Sequence, residues 1–358
     1  MSIRTRPLSA LSLATLAAAA LAAAACSIPD MAPAAPQKTG AAVQDSVVFT
    51  RFLVPDGDQP DIEAGVWRTV GPVAAPRPLI VISHGTGGDF RSHLATAQAL
   101  ARAGFVVVAL THTGDNWRDR SRATDLGGRT RQVSVLIDYM LTTWEGRGGI
   151  DAKQIGAFGY SAGGFTMLAA AGGEPDMTRV VDHCRSHPDY FDCRLVAQNP
   201  STGSPAARDA LAIHRDPRLK ALVIAAPALG FTFAGKGLAG VTQPVQLWQA
   251  GADQILPAPS YVEPVRAALP KPPEFFRVEG AGHYDFMPPC SAQLKFFAPA
   301  ICAPTPGFDR ADFHETFDRE VIRFFTTHLR VPSPRPAASE ASVPGQSARL
   351  SPGTGPAS

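Results

Sequence analysis

The sequence has little of what several functional classes require. Its formal net charge is only +2, and no run of Lys and Arg interleaved with aromatics occurs, so the electrostatic case for nucleic acid is missing. It has five cysteines, and none stands in the C-x2-C spacing of zinc sites, so no metal is expected. Neither a G-x-G-x-x-G turn nor a phosphate-loop lysine is present, and no organic cofactor is expected either. Internal repeats are absent. Beyond the first 25 residues no apolar run is long enough to span a bilayer.

The ends differ from the middle. Met1-Ser2-Ile3-Arg4-Thr5-Arg6 precedes an uncharged Leu/Ala run from Leu8 to Ala25, which reads as a signal peptide over 1–25. An Ala-rich anchor is the alternative, but the run is barely long enough and only weakly apolar. Cys26 follows Ala23-Ala24-Ala25 and resembles a bacterial lipoprotein processing site. The leucine of that site is missing at Ala23, the nearest being Leu21, so lipidation of Cys26 and ordinary A-x-A cleavage both stay open. Either predicts export, to the periplasm, to the outer membrane as a lipoprotein, or to the medium. Membrane attachment would run only through the lipid on Cys26. Residues 26–44 read as a flexible linker. The Pro-, Ser-, Ala- and Gly-rich stretch 331–358 reads as a disordered tail, because it cannot bury enough apolar surface to offset its ordering entropy.

Residues 45–330 remain for one large domain. Within it Cys184 and Cys193 lie close in sequence, as do Cys290 and Cys302. Two local disulfides, each clamping a loop in an oxidising compartment, are expected, with other pairings open.

Along this domain strands alternate with helices. Asp45–Val54 and Ile62–Val70 flank Pro55-Asp56-Gly57-Asp58 as an opening hairpin. Pro78–Ser83, Phe105–Leu110, Gln154–Tyr160, Leu219–Ala226, Pro244–Ala250 and Glu274–Val278 read as strands, the first two as continuous apolar runs of the kind buried on both faces of a parallel sheet. Helical spacing marks Ser92–Ala103, Arg131–Thr142, Ser161–Gly172 and Asp312–Leu329. The expected fold class is therefore α/β, a mostly parallel central sheet flanked by helices. Two stretches break the rhythm, about 174–217 and 284–310. The first is expected to be a small disulfide-clamped cap and the second a clamped rim loop.

The strand 154–160 runs directly into Gly159-Tyr160-Ser161-Ala162-Gly163 and then a helix, the G-x-S-x-G nucleophile elbow. A serine hydroxyl is a weak nucleophile and needs a base, which itself needs an orienting acid. In that arrangement acid and base follow in chain order. Asp253 stands just past the strand ending at Ala250, and His283 lies on the Gly-rich loop past Val278. Asp216 and Asp285 compete for the acid and read as surface carboxylates. His112, His183, His187 and His314 read as loop or surface residues. The turn Ser83-His84-Gly85-Thr86-Gly87-Gly88 offers backbone N–H groups, so the amides of Thr86 and Ala162 are assigned to an oxyanion hole, with His84 shaping the turn. Trp117, Tyr160 and Tyr284 are candidates to line a substrate pocket, while Phe165 reads as core.

These pieces resemble the dienelactone-hydrolase-like branch of the α/β hydrolases, which also resembles the platelet-activating-factor acetylhydrolases. The resemblance is carried by S-H-G-T-G-G at 83–88, F-V-V-V-A-L-T-H-T-G-D-N at 105–116, G-Y-S-A-G-G at 159–164, G-A-D-Q-I-L-P at 251–257 and G-A-G-H-Y-D-F at 280–286. It implies the α/β-hydrolase fold and hydrolysis of a small ester through Ser161, Asp253 and His283 without metal. True dienelactone hydrolases carry cysteine where Ser161 stands, so the branch name does not specify a dienelactone substrate. Hydrolysis of another acyl bond, or a catalytically silent binding lipoprotein, are the other readings.

Overall fold

The computed structural model describes residues 46–70, 75–198 and 212–330. The expected signal peptide, linker, Cys26, tail and residues 199–211 of the insertion lie outside them. Eight strands form one sheet in the order β1-β2-β4-β3-β5-β6-β7-β8. These are β1 (Val47–Asp56), β2 (Gln59–Thr69), β3 (Arg77–Ser83), β4 (Val106–Thr111), β5 (Ile150–Tyr160), β6 (Leu219–Ala225), β7 (Val245–Ala250) and β8 (Glu274–Val278). β2 pairs antiparallel with both β1 and β4, and every later pairing is parallel. Gly57, at φ 60°, turns the hairpin.

β3 and β4 are buried at every position, as their unbroken apolar runs require. Alternate residues face opposite layers. Leu79, Val81, Val106 and Val108 join a core built from α2 (Leu126–Thr142), α3 (Ala162–Ala170) and α6 (Val262–Ala268). Ile80, Ile82, Val107 and Ala109 join a second core with α1 (Leu94–Arg102) and α9 (Arg310–His328). On α9, Phe313, Phe317, Val321, Phe324 and Phe325 recur at helical spacing and cover that face. The Asp309 carboxylate caps this helix, accepting from the amides of Ala311 (2.9 Å) and Asp312 (3.0 Å). α2 starts five residues earlier than its apolar periodicity suggests, because the Asp125 carboxylate accepts from the Gly128 amide at 2.8 Å.

The irregular stretches are helical in part. α4 (Arg179–Ser186) and α5 (Phe191–Gln198) are joined by the Cys184–Cys193 disulfide. Between β8 and α9 lie the short α7 (Ala292–Phe297) and α8 (Pro299–Cys302), spanned by the Cys290–Cys302 disulfide. This strand order, with a leading antiparallel hairpin and helices on both faces, is the α/β-hydrolase fold.

Candidate active site

Ser161 leaves β5 at φ 55° and ψ −120°, a conformation that ordinary residues avoid, at a cost of about 1–3 kcal/mol. The surrounding backbone holds it there. Its amide donates to the Ala225 carbonyl at 3.0 Å, and its carbonyl accepts from Gly164 (2.9 Å) and Ala228 (2.9 Å). The turn is too tight for side chains on either side. A Cβ on Gly159 would lie 2.3 Å from the Gly163 carbonyl oxygen, and one on Gly163 would lie 2.0 Å from that of Ser83. The G-x-S-x-G pattern is thus a packing requirement of strand, turn and helix.

Three strand ends meet at this serine. His283, on a single turn of 3-10 helix past β8, has Nε2 3.1 Å from Ser161 Oγ. Its Nδ1 lies 2.7 Å from Asp253 Oδ2, past β7. The other Asp253 oxygen accepts from the amides of Ile255 (2.9 Å) and Leu256 (2.7 Å), which fixes the carboxylate plane. A carboxylate only accepts, so Nδ1 carries the imidazole proton and Nε2 is left to accept from Ser161. The Asp253 and His283 side chains are each 3% exposed.

The loop bearing His283 is supported from behind. The Tyr160 hydroxyl donates to the His283 carbonyl at 3.0 Å. Tyr160 is buried, and burial followed by the nearby Asp253 charge holds its phenol well above the ordinary range. It therefore sits beneath His283, with its polar atom engaged by the loop. The Gly282 amide donates to Asp285 Oδ2 (2.8 Å) and to Thr305 Oγ1 (3.1 Å). Asp285 Oδ1 accepts from Arg310 Nε at 3.0 Å, and His314 Nε2 donates to the Asp285 carbonyl at 3.0 Å. Asp285 and His314 are therefore buried structural groups, contrary to the surface positions read from sequence. Asp216 is likewise buried, bound by Arg218 and by the Ser134 hydroxyl at 2.9 Å.

The turn after β3 has a comparable support, built on His84 as the sequence suggests. His84 Nε2 accepts from the His112 amide at 3.0 Å, so its Nδ1–H donates to the Gly85 carbonyl at 2.6 Å. Gly88 N–H donates to the same oxygen at 3.1 Å. With the Gly85 C=O pinned on that side, the N–H of the same trans peptide, that of Thr86, points the opposite way. Gly85 itself abuts the nucleophile turn, since a Cβ there would lie 3.1 Å from Ser161 Cβ. Asp115 Oδ1 accepts from the Gly87 amide at 2.9 Å, while its Oδ2 accepts from Arg129 NH1 at 2.6 Å. Arg129 is buried and also donates to the His84 carbonyl and to Thr166 Oγ1 (3.0 Å). Ala162, as first residue of α3, has an amide with no partner inside the helix.

His112 is fully buried, with Nε2 2.8 Å from Ser83 Oγ and Nδ1 2.8 Å from Gln132 Oε1, another departure from the loop or surface position read from sequence. Burial drives both His84, to about 3, and His112 well below the usual histidine range, with the Arg129 charge adding to it. Phe165 is core. Trp117 is 57% exposed with the Arg118 guanidinium over its ring, and Tyr284 is half-buried beside His283. His183, Asp192 and Cys193 also converge, with the Tyr261 hydroxyl 2.7 Å from Asp192 Oδ1 and 3.1 Å from His183 Nε2. Cys193 is bonded to Cys184 and so offers no thiolate, which leaves His183 and Asp192, both engaged by Tyr261.

Residues 90–181 match the prolyl oligopeptidase family. Two cutinases of Thermobifida alba, Cutinase est1 and Cutinase est2, are each 33% identical to this chain over 105 residues. That segment is 28% of this chain and 33% and 32% of the two cutinases. The chain thus spans about a third of the length of the curated relatives it matches.

Proposed function

We propose that this protein is an exported serine hydrolase that cleaves carboxylic esters through an acyl-enzyme. The observation that carries the reading is the continuous relay Ser161 Oγ···Nε2 His283 Nδ1–H···Oδ2 Asp253, at 3.1 and 2.7 Å, around a serine held at positive φ. Ser161 Oγ attacks the acyl carbon as its proton passes to His283 Nε2. Asp253 stays ionised and stabilises the imidazolium. The developing oxyanion is placed against the amides of Thr86 and Ala162, where loss of one donor typically costs about 2.7–4 kcal/mol. The C–O bond then breaks, and the alcohol leaves with the proton from Nε2. Water, deprotonated by the same nitrogen, cleaves the acyl-enzyme.

Export is supported by the Arg-flanked apolar start and by two disulfides, which persist in oxidising compartments. A lipid on Cys26 would make the protein membrane-attached; intact mass of the membrane fraction decides between lipidated and free forms.

An amide or peptide bond is the second reading, favoured by the match of residues 90–181 to the prolyl oligopeptidase family. Fluorophosphonate labelling of wild type and Ser161→Ala tests the nucleophile, with label expected only on the former. A panel of p-nitrophenyl esters of rising acyl length beside p-nitroanilides then separates the two readings. Faster turnover of the anilides would overturn the ester assignment.

A further inference from the structure

Over the turn after β3 lies one arginine whose side chain neither pairs with another described group nor belongs to the relay. The segment Trp117-Arg118-Asp119-Arg120-Ser121-Arg122 carries three guanidinium groups and one carboxylate. Two of the three are occupied. Arg118 donates to Glu63 Oε2 at 3.0 Å and lies over the Trp117 ring. Arg122 donates to Gln59 Oε1 (2.7 Å) and Thr113 Oγ1 (3.2 Å). The carboxylate of Asp119 turns back to the Ser121 amide at 2.9 Å. Its carbonyl accepts from the Ala123 amide at 3.2 Å, but the Arg120 guanidinium has no carboxylate or hydrogen-bond partner among the described residues.

Its guanidinium lies over Gly87, at φ +73°, where an added Cβ would meet NH2 at 2.9 Å and Nε at 3.3 Å. Gly87 is two residues from Gly85, the residue against Ser161, a span of at most about 7 Å along the chain. The Arg120 charge also reaches Tyr284, the residue after His283. There it pulls the phenol down against burial and Asp253, which together raise it. The loop that holds Arg120 is itself ordered, with Asn116 N–H bonded to the Asp119 carbonyl (2.8 Å) and Arg122 N–H to that of Gly114 (2.8 Å). An exposed, unpaired planar guanidinium carried by an ordered loop over Gly87 is suited to a bidentate carboxylate.

We infer that Arg120 is a specificity-determining residue that binds an ionised carboxylate on the substrate. The substrate class is then the half-esters of dicarboxylic acids, with the free carboxylate a few bonds from the scissile carbonyl. This rests on the Ser161 reading above for where the ester lies, and the experiment separates the two.

The matched probes are mono-p-nitrophenyl glutarate and its neutral methyl ester, p-nitrophenyl methyl glutarate. The ratio of their kcat/KM values is expected to favour the anionic probe in wild type. It should fall by about tenfold or more in Arg120→Ala through KM, invert in Arg120→Glu and stay intermediate in Arg120→Lys, as expected for loss of a charge-assisted contact. Raising NaCl should lower the wild-type ratio. An equal ratio in wild type and Arg120→Ala would overturn the assignment. Binding gives a readout that needs no turnover: glutarate should raise the melting temperature of Ser161→Ala protein but not of Ser161→Ala/Arg120→Ala. Glutarate stabilisation that persists without Arg120, or is absent with it, sinks the anion site. Stabilisation that depends on Arg120 in a protein that hydrolyses neither probe sinks only the Ser161 reading.

Discussion

Arg129 and Asp115 form an ion pair at 2.6 Å with side chains 2% and 1% exposed, and the pair reaches the turn after β3 from below. Asp115 holds the Gly87 amide, and Arg129 holds the His84 carbonyl and Thr166. Replacing Arg129 by Met leaves a buried carboxylate without its counter-charge. Loss of about 3–5 kcal/mol in unfolding free energy is expected from a urea melt at pH 7.5. Asp115→Asn keeps an acceptor for Gly87 but strands the buried Arg129 charge, so a loss of similar size is expected. A loss below about 1 kcal/mol in either variant would show that the pair does not work as described.

His84 pins the Gly85 carbonyl and thereby aims the Thr86 amide. His84→Ala frees that peptide to turn. Ester turnover should fall about 100-fold in kcat with KM within about threefold, as when one oxyanion donor is lost. His84→Asn can still donate from its amide and should recover part of the loss. A KM-dominated effect in His84→Ala would argue against this role.

Acid stability follows from three buried neutral imidazoles. Desolvation lowers His84 and His93 to about 3 each, and His112 well below its usual range. Unfolded, each binds a proton below about pH 6.5. Below that pH the unfolded chain holds more protons than the folded one, so stability falls as pH falls. Three such groups give at most about 4 kcal/mol per pH unit. Denaturant melts between pH 7 and pH 4 should show this steep decline, and His93→Phe should make it shallower. His93 is the cleanest probe because neither of its ring nitrogens has a hydrogen-bond partner among the described residues.

Asp318 has the opposite sign. Burial raises its carboxyl to about 6, although Thr96 Oγ1 donates to it at 2.7 Å. Between the unfolded value near 3.9 and about 6, the folded chain holds the extra proton, so this group favours folding toward lower pH and opposes it above about 6. Asp318→Asn retains an acceptor for Thr96 without the charge. It should stabilise the protein by about 1 kcal/mol at pH 8, the two-unit shift being discounted for partial exposure. That gain should vanish by pH 4; a gain independent of pH would point to a cause other than ionisation.

The succession of strands along the chain, the expectation of two local disulfides and the tight G-x-S-x-G turn were legible in the sequence by itself. Each is set by neighbours in the chain: unbroken apolar runs make buried strands, and glycines stand where strand and helix leave no room for Cβ. β8 is read at its observed limits, Glu274–Val278. Ser161, Asp253 and His283 could be put at strand ends for the same reason. That their side chains stand 3.1 and 2.7 Å apart is a property of the sheet.

What only the tertiary structure decided is the state of the polar residues behind the site. Asp285, Asp216, His112 and His314 have the composition of surface residues and nothing in their local pattern marks them otherwise. They are buried because partners arrive from elsewhere: Arg310 lies 25 residues from Asp285, and Ser134 lies 82 from Asp216. Trp117 and Arg120 show the converse. Loop residues without periodicity carry no orientation in the sequence, and only the folded loop turns Arg118 and Arg122 away and leaves Arg120 over Gly87. Burial and pairing of charge depend on long-range contacts, whereas strand, turn and disulfide here depend on short-range ones.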